Sequence, residues 1–357
     1  MNYTIRDYGY TEFFEKQVDK LDVNELIPAR IIEVQKEQYK IYKEFDIKNA
    51  KLKGSKFYNN LTDVVFPSIG DFVLVKSNPD GDDIIYEVLT RKSKFSRIDM
   101  HYGKEQLVAT NFDFIFIVAS LNKDFNIKKI ERYISIAWQS GGTPVIVLTK
   151  ADICDNYIDY VINAESSFIG VDVIAVSSLT GFGFDLLSKY IKPSKTIVLL
   201  GSSGVGKSSL INAIAKENIM KTSSIREDDS KGRHTTTHRQ LIMLGNKTMI
   251  IDTPGMRELG MWSDAEEGID STFSEIEDLM LKCRFKDCAH NREPGCAVKE
   301  AIKNGELPIE RWNNYLKLKK EAKIALLKEQ RKIKALEKMQ ERKKQSKPRN
   351  KAIKEDE

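Results

Sequence analysis

The run Thr196-Ile-Val-Leu-Leu-Gly201-Ser-Ser-Gly-Val-Gly206-Lys207-Ser208-Ser-Leu210 constrains this chain more than any other stretch. A β-branched apolar run ends in a glycine-rich turn, and an apolar-periodic helix follows. Gly201, Gly206, Lys207 and Ser208 stand at the G-x-x-x-x-G-K-S spacing, inside the strand–loop–helix context that gives such a match its meaning. The glycines let successive N–H groups turn inward as an anion nest, and the helix N-terminus adds its dipole. Ser202, Ser203, Gly204, Val205 and Ser209 supply the rest of the cradle. Lys207 can reach β- and γ-phosphates and Ser208 can ligate Mg²⁺. The stretch predicts a nucleotide site in an α/β domain.

Other apolar runs agree. Residues 112–119, 143–149, 171–176, 196–200, 240–244 and 249–251 read as strands, with a helix from Ile127 to Ser140. Near-continuous apolar strands separated by helices predict a doubly wound, mostly parallel sheet with ligands at the carboxyl ends of the strands. Thr149-Lys150-Ala151-Asp152 follows one of these strands. A carboxylate held there accepts two hydrogen bonds from the N1–H and exocyclic amino group of guanine. Adenine presents an acceptor at N1 instead, so Asp152 sets an ATP-dependent activity aside. The Lys150 stem can cover the base plane. Ser177 and Ser178, after the next strand, are expected to offer backbone N–H groups to guanine O6.

Asp252-Thr-Pro-Gly255 follows the strand at 249–251. Its aspartate is placed to support Mg²⁺, and the Gly255 N–H to meet a γ-phosphate. Upstream, Lys231-Gly-Arg-His234-Thr235-Thr236-Thr237-His238 lies in a polar segment suited to a threonine that binds Mg²⁺. Thr236 is favoured, with Thr235 and Thr237 as alternatives. Met256 cannot orient a water, and His234 is the nearest polar substitute as the catalytic residue; contact with solvent or RNA is the other reading of that histidine.

The motif order is rotated, because the guanine motif at 149 precedes the phosphate loop at 201 and D-T-P-G at 252. Ras-like GTPases run the other way. With the K-G-R-H-T-T-T stretch, this order resembles the ribosome small-subunit-dependent GTPase family RsgA (also YjeQ), circularly permuted GTPases, across almost the whole chain. Two positions depart from the general GTPase pattern. Thr149 stands where asparagine is commoner, and Met256 where a water-positioning glutamine is usual; the family carries an apolar residue there. Slow intrinsic hydrolysis of GTP to GDP and phosphate is the expectation.

Cys283-x₄-Cys288-x-His290-x₅-Cys296 offers three sulfurs and an imidazole, a complete tetrahedral set. With no ligand position left open, one structural Zn²⁺ per chain is expected. The RsgA family carries the same spacing. Cys154 stands alone and reads as an ordinary small residue. Cysteine usage points to a reducing compartment, and no apolar run approaches a membrane span; a cytoplasmic monomer is expected.

The remainder of the chain completes a multidomain α/β reading. Residues 1–24 are expected to form a short helical arm, 25–98 an OB-fold-like barrel, 99–262 the permuted GTPase domain, 263–345 a zinc-binding helical domain and 346–357 a disordered tail. The barrel is inferred from five short strands at 29–34, 39–42, 64–66, 72–75 and 84–89, with turn chemistry at Asn78-Pro79-Asp80-Gly81. Lys40, Lys43, Lys51, Lys53, Lys56, Phe57 and Tyr58 are either a nucleic-acid face or solvated loop residues. Residues 317–351 hold 15 Lys/Arg against 4 Glu, a balance that favours a polyanion. What the resemblance implies is a GTP hydrolase that binds the small ribosomal subunit and its 16S rRNA in late maturation. The alternative is a GTP-gated switch on the large subunit or tRNA with incidental hydrolysis.

Overall fold

The computed structural model describes residues 3–21, 25–35, 38–54, 66–98, 105–122, 125–168, 170–220, 240–252 and 266–345. The chain divides into two compact units, Met1–Gly260 and Met261–Glu357.

The first unit begins with a helix, α1 (Glu12–Val18), and a closed five-stranded barrel. The barrel strands are β1 (Ile27–Gln35), β2 (Gln38–Lys43), β3 (Asp46–Leu52), β4 (Phe72–Lys76) and β5 (Asp83–Val88), in the order β1-β2-β3-β5-β4. The barrel core is filled by Ile31, Ile41, Val73, Val75 and Ile85, the inward residues of alternating strands. One expected strand is corrected. Phe66 lies outside any strand, and residues 64 and 65 are outside the described residues. The fifth strand is β3 instead, whose sequence Asp-Ile-Lys-Asn-Ala-Lys-Leu buries only Ala50 and so shows no alternation. A second correction concerns Lys43. It is 4% exposed and paired with buried Asp83 at 2.6 Å, so it presents no charge to a partner. Lys56, Phe57 and Tyr58 lie outside the described residues.

The first residues pack onto the barrel. Phe14 is 1% exposed and meets Phe72 at 4.3 Å between ring centroids, and Tyr8 stacks on Tyr42 at 3.9 Å. Arg30 of β1 is buried at their junction. Its guanidinium donates to the carbonyls of Tyr8, Gly70 and Asn111 and lies over the Phe72 ring. Three carbonyls satisfy a charge that burial would otherwise make costly, and burial still depresses its pKa to about 10. A hairpin of β6 (Lys94–Ile98) and β7 (Glu105–Thr110) then leads into the sheet.

The sheet strands are β8 (Phe114–Ser120), β9 (Thr143–Thr149), β10 (Asp172–Ala175), β11 (Thr196–Leu200), β12 (Leu241–Met243) and β13 (Met249–Ile251). Their order is β10-β9-β8-β11-β13-β12, parallel apart from the edge strand β12. β9 and β11 are buried on both faces, which is why they read as unbroken apolar runs. Among the described residues, four helices accompany the sheet: α2 (Ile127–Gln139), α3 (Tyr157–Ser167), α4 (Phe184–Leu187) and α5 (Lys207–Ala215). α2 buries Ile130, Ile134 and Ala137 at helical spacing, and its first turn is capped by the Asn126 side chain accepting from the Lys129 N–H at 3.2 Å. β8 and β11 are neighbours, yet their connections leave toward opposite edges of the sheet. That switch point places a crevice at their carboxyl ends.

The second unit contains α6 (Glu266–Thr272), α7 (Ser274–Leu281), α8 (Ala297–Asn304) and the long α9 (Ile309–Gln345). Its core joins Ile269, Phe273, Ile276, Val298, Trp312 and Tyr315. Arg311 ties α9 to α7 through Glu275 at 2.5 Å, and the Tyr315 hydroxyl donates to Glu277 at 2.7 Å. Residues 346–357 lie outside the described residues. No described helix is long and apolar enough to cross a membrane.

Candidate guanine-nucleotide and metal sites

The phosphate loop runs from the end of β11 into α5. Gly201 has φ +154° and a Cβ there would fall 2.3 Å from the Val118 carbonyl oxygen, so only glycine lets the loop pass β8. Gly206, at φ +92°, is the residue before α5 and turns the chain into the helix. The Lys207 ammonium lies back over the loop, donating to the carbonyls of Gly201 and Ser202, both at 2.8 Å. Ser202, Ser208 and Ser209 are half-buried, Ser203 and Gly204 exposed, and Val205 is buried as the loop's apolar anchor.

The guanine motif is wired directly to this loop. The Thr149 hydroxyl, at the end of β9, donates to the Val205 carbonyl at 2.6 Å. Lys150 takes a left-handed conformation, φ 64°, which starts the short 3-10 turn Ala151–Ile153. The Ala151 N–H donates to the Val176 carbonyl at 3.1 Å and pins that turn to the loop after β10. Asp152 is exposed on the resulting shelf. Thr149, Lys150, Asp152, Ser178 and Leu179 face Gly206, Ser209, Asn212 and Lys216 across a cleft of about 620 Å³. Pocket and motifs coincide.

Ser177 and Ser178 separate in role. Ser177 is fully buried, its N–H donates to the Phe182 carbonyl at 3.0 Å, and its hydroxyl accepts from Leu179 and Thr180. It holds the turn together, and its N–H is not offered to a base. Ser178 lines the cleft. Asp252, 8% exposed, stands at the carboxyl end of β13, the parallel neighbour of β11. His234, Thr235, Thr236, Thr237, Gly255 and Met256 lie outside the described residues.

Sequence reasoning missed Asn212. Its side chain donates to the Met220 carbonyl at 2.8 Å and accepts the Met220 N–H at 2.7 Å, holding residues 216–220 against α5 as the cleft's second wall. A single asparagine inside a helix gives no signal of such a clasp.

In the second unit Cys283, Cys288, His290 and Cys296 converge, with all four ligand atoms within 4.8 Å of one another. Cys283 follows α7 and Cys296 is the residue before α8. The Cys283 and Cys296 sulfurs are 4.0 Å apart, and both lie near the His290 Nδ1, at 3.6 and 3.5 Å. Ligands on a tetrahedron with metal–sulfur bonds of about 2.3 Å have edges of roughly 3.5–3.8 Å, so the donor set fits such an ion. Cys154 is half-buried beside Asn156, packs against the sheet core, and belongs to no metal-ligating group among the described residues.

Glu293 organises the loop around this cluster. Its carboxylate accepts the N–H groups of Ala289, Asn291 and Arg292 at 2.9–3.1 Å. Its own N–H and those bonds hold its pKa down to about 2, from an ordinary 4.5. A depressed folded pKa means the contribution to loop order is complete above about 4.5 and lost as pH falls toward 2. A carboxyl-detected NMR titration should place the Glu293 midpoint near 2; a midpoint in the ordinary range would show the loop bonds do not form in solution.

With this geometry established, comparison with known proteins decides the family. The RsgA GTPase family model matches residues 88–262. A curated relative from Listeria monocytogenes serotype 4b, small ribosomal subunit biogenesis GTPase RsgA 2, is 46% identical over 318 residues, 89% of each chain. The chain belongs to the RsgA GTPase family. A family member from Methanosarcina acetivorans is 44% identical over 274 residues, 76% of this chain and 74% of its own. Among solved structures, YjeQ from Thermotoga maritima matches with TM-score 0.62 at 26% identity, covering 83% of this chain and 98% of that one. YloQ, described as a circularly permuted GTPase, matches with TM-score 0.58 at 26% identity, covering 85% and 96%. The chain is a GTP-hydrolysing enzyme with the permuted order read from its motifs, and its N-terminal barrel is OB-like.

The Thr149 link gives a direct expectation. Thr149→Val leaves the buried Val205 carbonyl without its donor, and GTP affinity should fall about tenfold, the cost of one buried unsatisfied group. Thr149→Asn retains a donor and should stay near wild type. Equilibrium titration with a fluorescent GTP analogue checks both; equal affinity of Thr149→Val and wild type would show that the link does not shape the site.

Proposed function

We propose that this chain hydrolyses GTP on the small ribosomal subunit during its late maturation, with the subunit stimulating turnover and the GDP form leaving. The observation that carries the nucleotide half of the reading is the hydroxyl bond from Thr149 to Val205, which ties the turn assigned to guanine to the phosphate loop. The names of the curated relatives support the choice of subunit. The nucleotide contacts are assigned to Thr149–Asp152, Ser178, the loop Gly201–Ser209 and Gly255, with Ser177 bracing the turn. Ser208, Asp252 and Thr236 would hold Mg²⁺, since hard oxygen donors suit that ion; when bound it neutralises charge on the phosphates. Cys283, Cys288, His290 and Cys296 would hold one structural Zn²⁺. The basic 317–351 segment is assigned to 16S rRNA, through salt-sensitive phosphate contacts. The protein is taken as a cytoplasmic monomer.

GTP turnover measured alone, with purified small subunits, with large subunits and with tRNA tests this reading. Stimulation by small subunits only is expected; stimulation by large subunits or tRNA alone would transfer the protein to a different target.

His234 is assigned the water-orienting role that Met256 cannot fill. Phosphoryl transfer is accelerated mainly by positioning and charge, so His234→Ala should lose roughly 10²-fold of the stimulated rate. GTP binding and subunit binding should stay near wild type. Stimulated single-turnover rates nearly equal to wild type would move catalysis to another residue.

A further inference from the structure

The chain carries 57 Lys/Arg in 357 residues, yet residues 151–188 contain none. The same span holds six carboxylates: Asp152, Asp155, Asp159, Glu165, Asp172 and Asp185. All six are exposed, and Asp172 is paired with Lys189. This span forms the guanine turn, α3, the edge strand β10 and α4.

The same surface is apolar where a solvated face would be polar. Ile158 and Ile162, one turn apart on α3, are 55% and 58% exposed. They are not the packing face of that helix, which presents Tyr157, Tyr160, Val161 and Ala164 to the core. The Tyr157 ring, on the packing side, touches Phe182 at 5.3 Å and joins the start of α3 to the turn after β10. Single exposed apolar residues need no explanation, but Ile158 and Ile162 stand four residues apart on one face of α3 with exposed Asp159 and Glu165 at helical spacing beside them. An apolar pair rimmed by one sign of charge marks an interaction surface.

Charge decides the kind of partner. A surface on which exposed carboxylates outnumber the cations at its border, Lys150 and Lys189, repels phosphates, so RNA does not dock here, whatever the basic segments elsewhere do. Exposed isoleucines need apolar side chains opposite them, and the acidic rim needs lysine or arginine around those. We propose that the α3 face, centred on Ile158 and Ile162, docks a basic amphipathic protein helix, carried by a protein of the small subunit. The source of that helix rests on the function proposed above; the chemistry of the face does not.

Two arms test this with the full-length protein. In the first, a labelled synthetic helix with lysine on one face and leucine on the other is titrated against wild type and Ile158→Lys/Ile162→Lys. The double variant should bind the peptide roughly tenfold more weakly or worse, because it removes two apolar anchors and adds like charge. Its GTP affinity, basal turnover and oligouridylate binding should match wild type. Unchanged peptide affinity, or altered oligouridylate binding with folded protein, would overturn the proposal. In the second, a photo-crosslinking residue replaces Ile162, and the protein is bound to purified small subunits with a non-hydrolysable GTP analogue. Crosslinks to a ribosomal protein support the assignment; crosslinks to rRNA, or none from bound protein, overturn it. If wild type does not bind small subunits at all, the proposed function fails, and the peptide arm still decides the face.

Discussion

Asp152→Asn should lower affinity for GTP by roughly 10²- to 10⁴-fold and raise affinity for xanthosine triphosphate. Guanine offers N1–H and an exocyclic amino group to one carboxylate, two charge-assisted hydrogen bonds at about 1.5–3 kcal/mol each. An amide can accept from N1–H, but its own N–H then faces the amino group of guanine, donor against donor. Xanthine carries a carbonyl there, which accepts from that amide. The inversion depends on a shelf that does not shift when the charge goes. Lys150 at φ 64°, the Ala151 bond to Val176 and the Thr149 bond to Val205 fix that shelf from three sides. Binding titrations with GTP, ATP and xanthosine triphosphate against both proteins check the outcome. Equal affinity of the wild type for ATP and GTP would remove Asp152 from base recognition.

Much of this shelf was legible because each motif sits at the end of a strand buried on both faces. Apolar runs such as Thr143–Thr149 and Thr196–Leu200 mark their own ends, and residues that follow them fall at one edge of the sheet. Strand order, by contrast, comes from pairing partners far apart in sequence: β11 lies between β8 and β13, and no local pattern says so. β3 escaped because six of its seven residues are not buried and carry no alternation. α3 escaped for a related reason, since Ile158 and Ile162 on its outer side blur the 3.6-residue period that Tyr157, Tyr160, Val161 and Ala164 would otherwise show. Its place after a strand points Ser177 toward the base. Its burial, and the Phe182 carbonyl that takes its N–H, are properties of a turn closed five residues later.

Removing the metal should unfold the second unit while the first keeps its nucleotide site. Purified protein is expected to carry about one zinc per chain, and Cys288→Ser should lose it. The described core of the second unit is small, and the four ligands stand where its helices need joining: Cys283 after α7, Cys296 before α8, and His290 edge-on to Trp312 of α9 at 5.7 Å. Apparent binding energies for structural zinc in small domains are about 10–16 kcal/mol, comparable to the whole stability of a domain. Cys288→Ser leaves two thiols and an imidazole crowded together with nothing to hold them, so the loop from 283 to 296 and the packing of α7 on α8 should both be lost. Limited proteolysis should then cut within residues 266–345 in the variant or after chelation, and spare them in the metal-loaded wild type. GTP affinity should change less than twofold, because the described cores on which β8, β9, β11 and α5 pack are built from residues of the first unit. Metal analysis showing no zinc in protein purified without chelators would refute the assignment, and loss of GTP binding together with the metal would refute the independence of the two units.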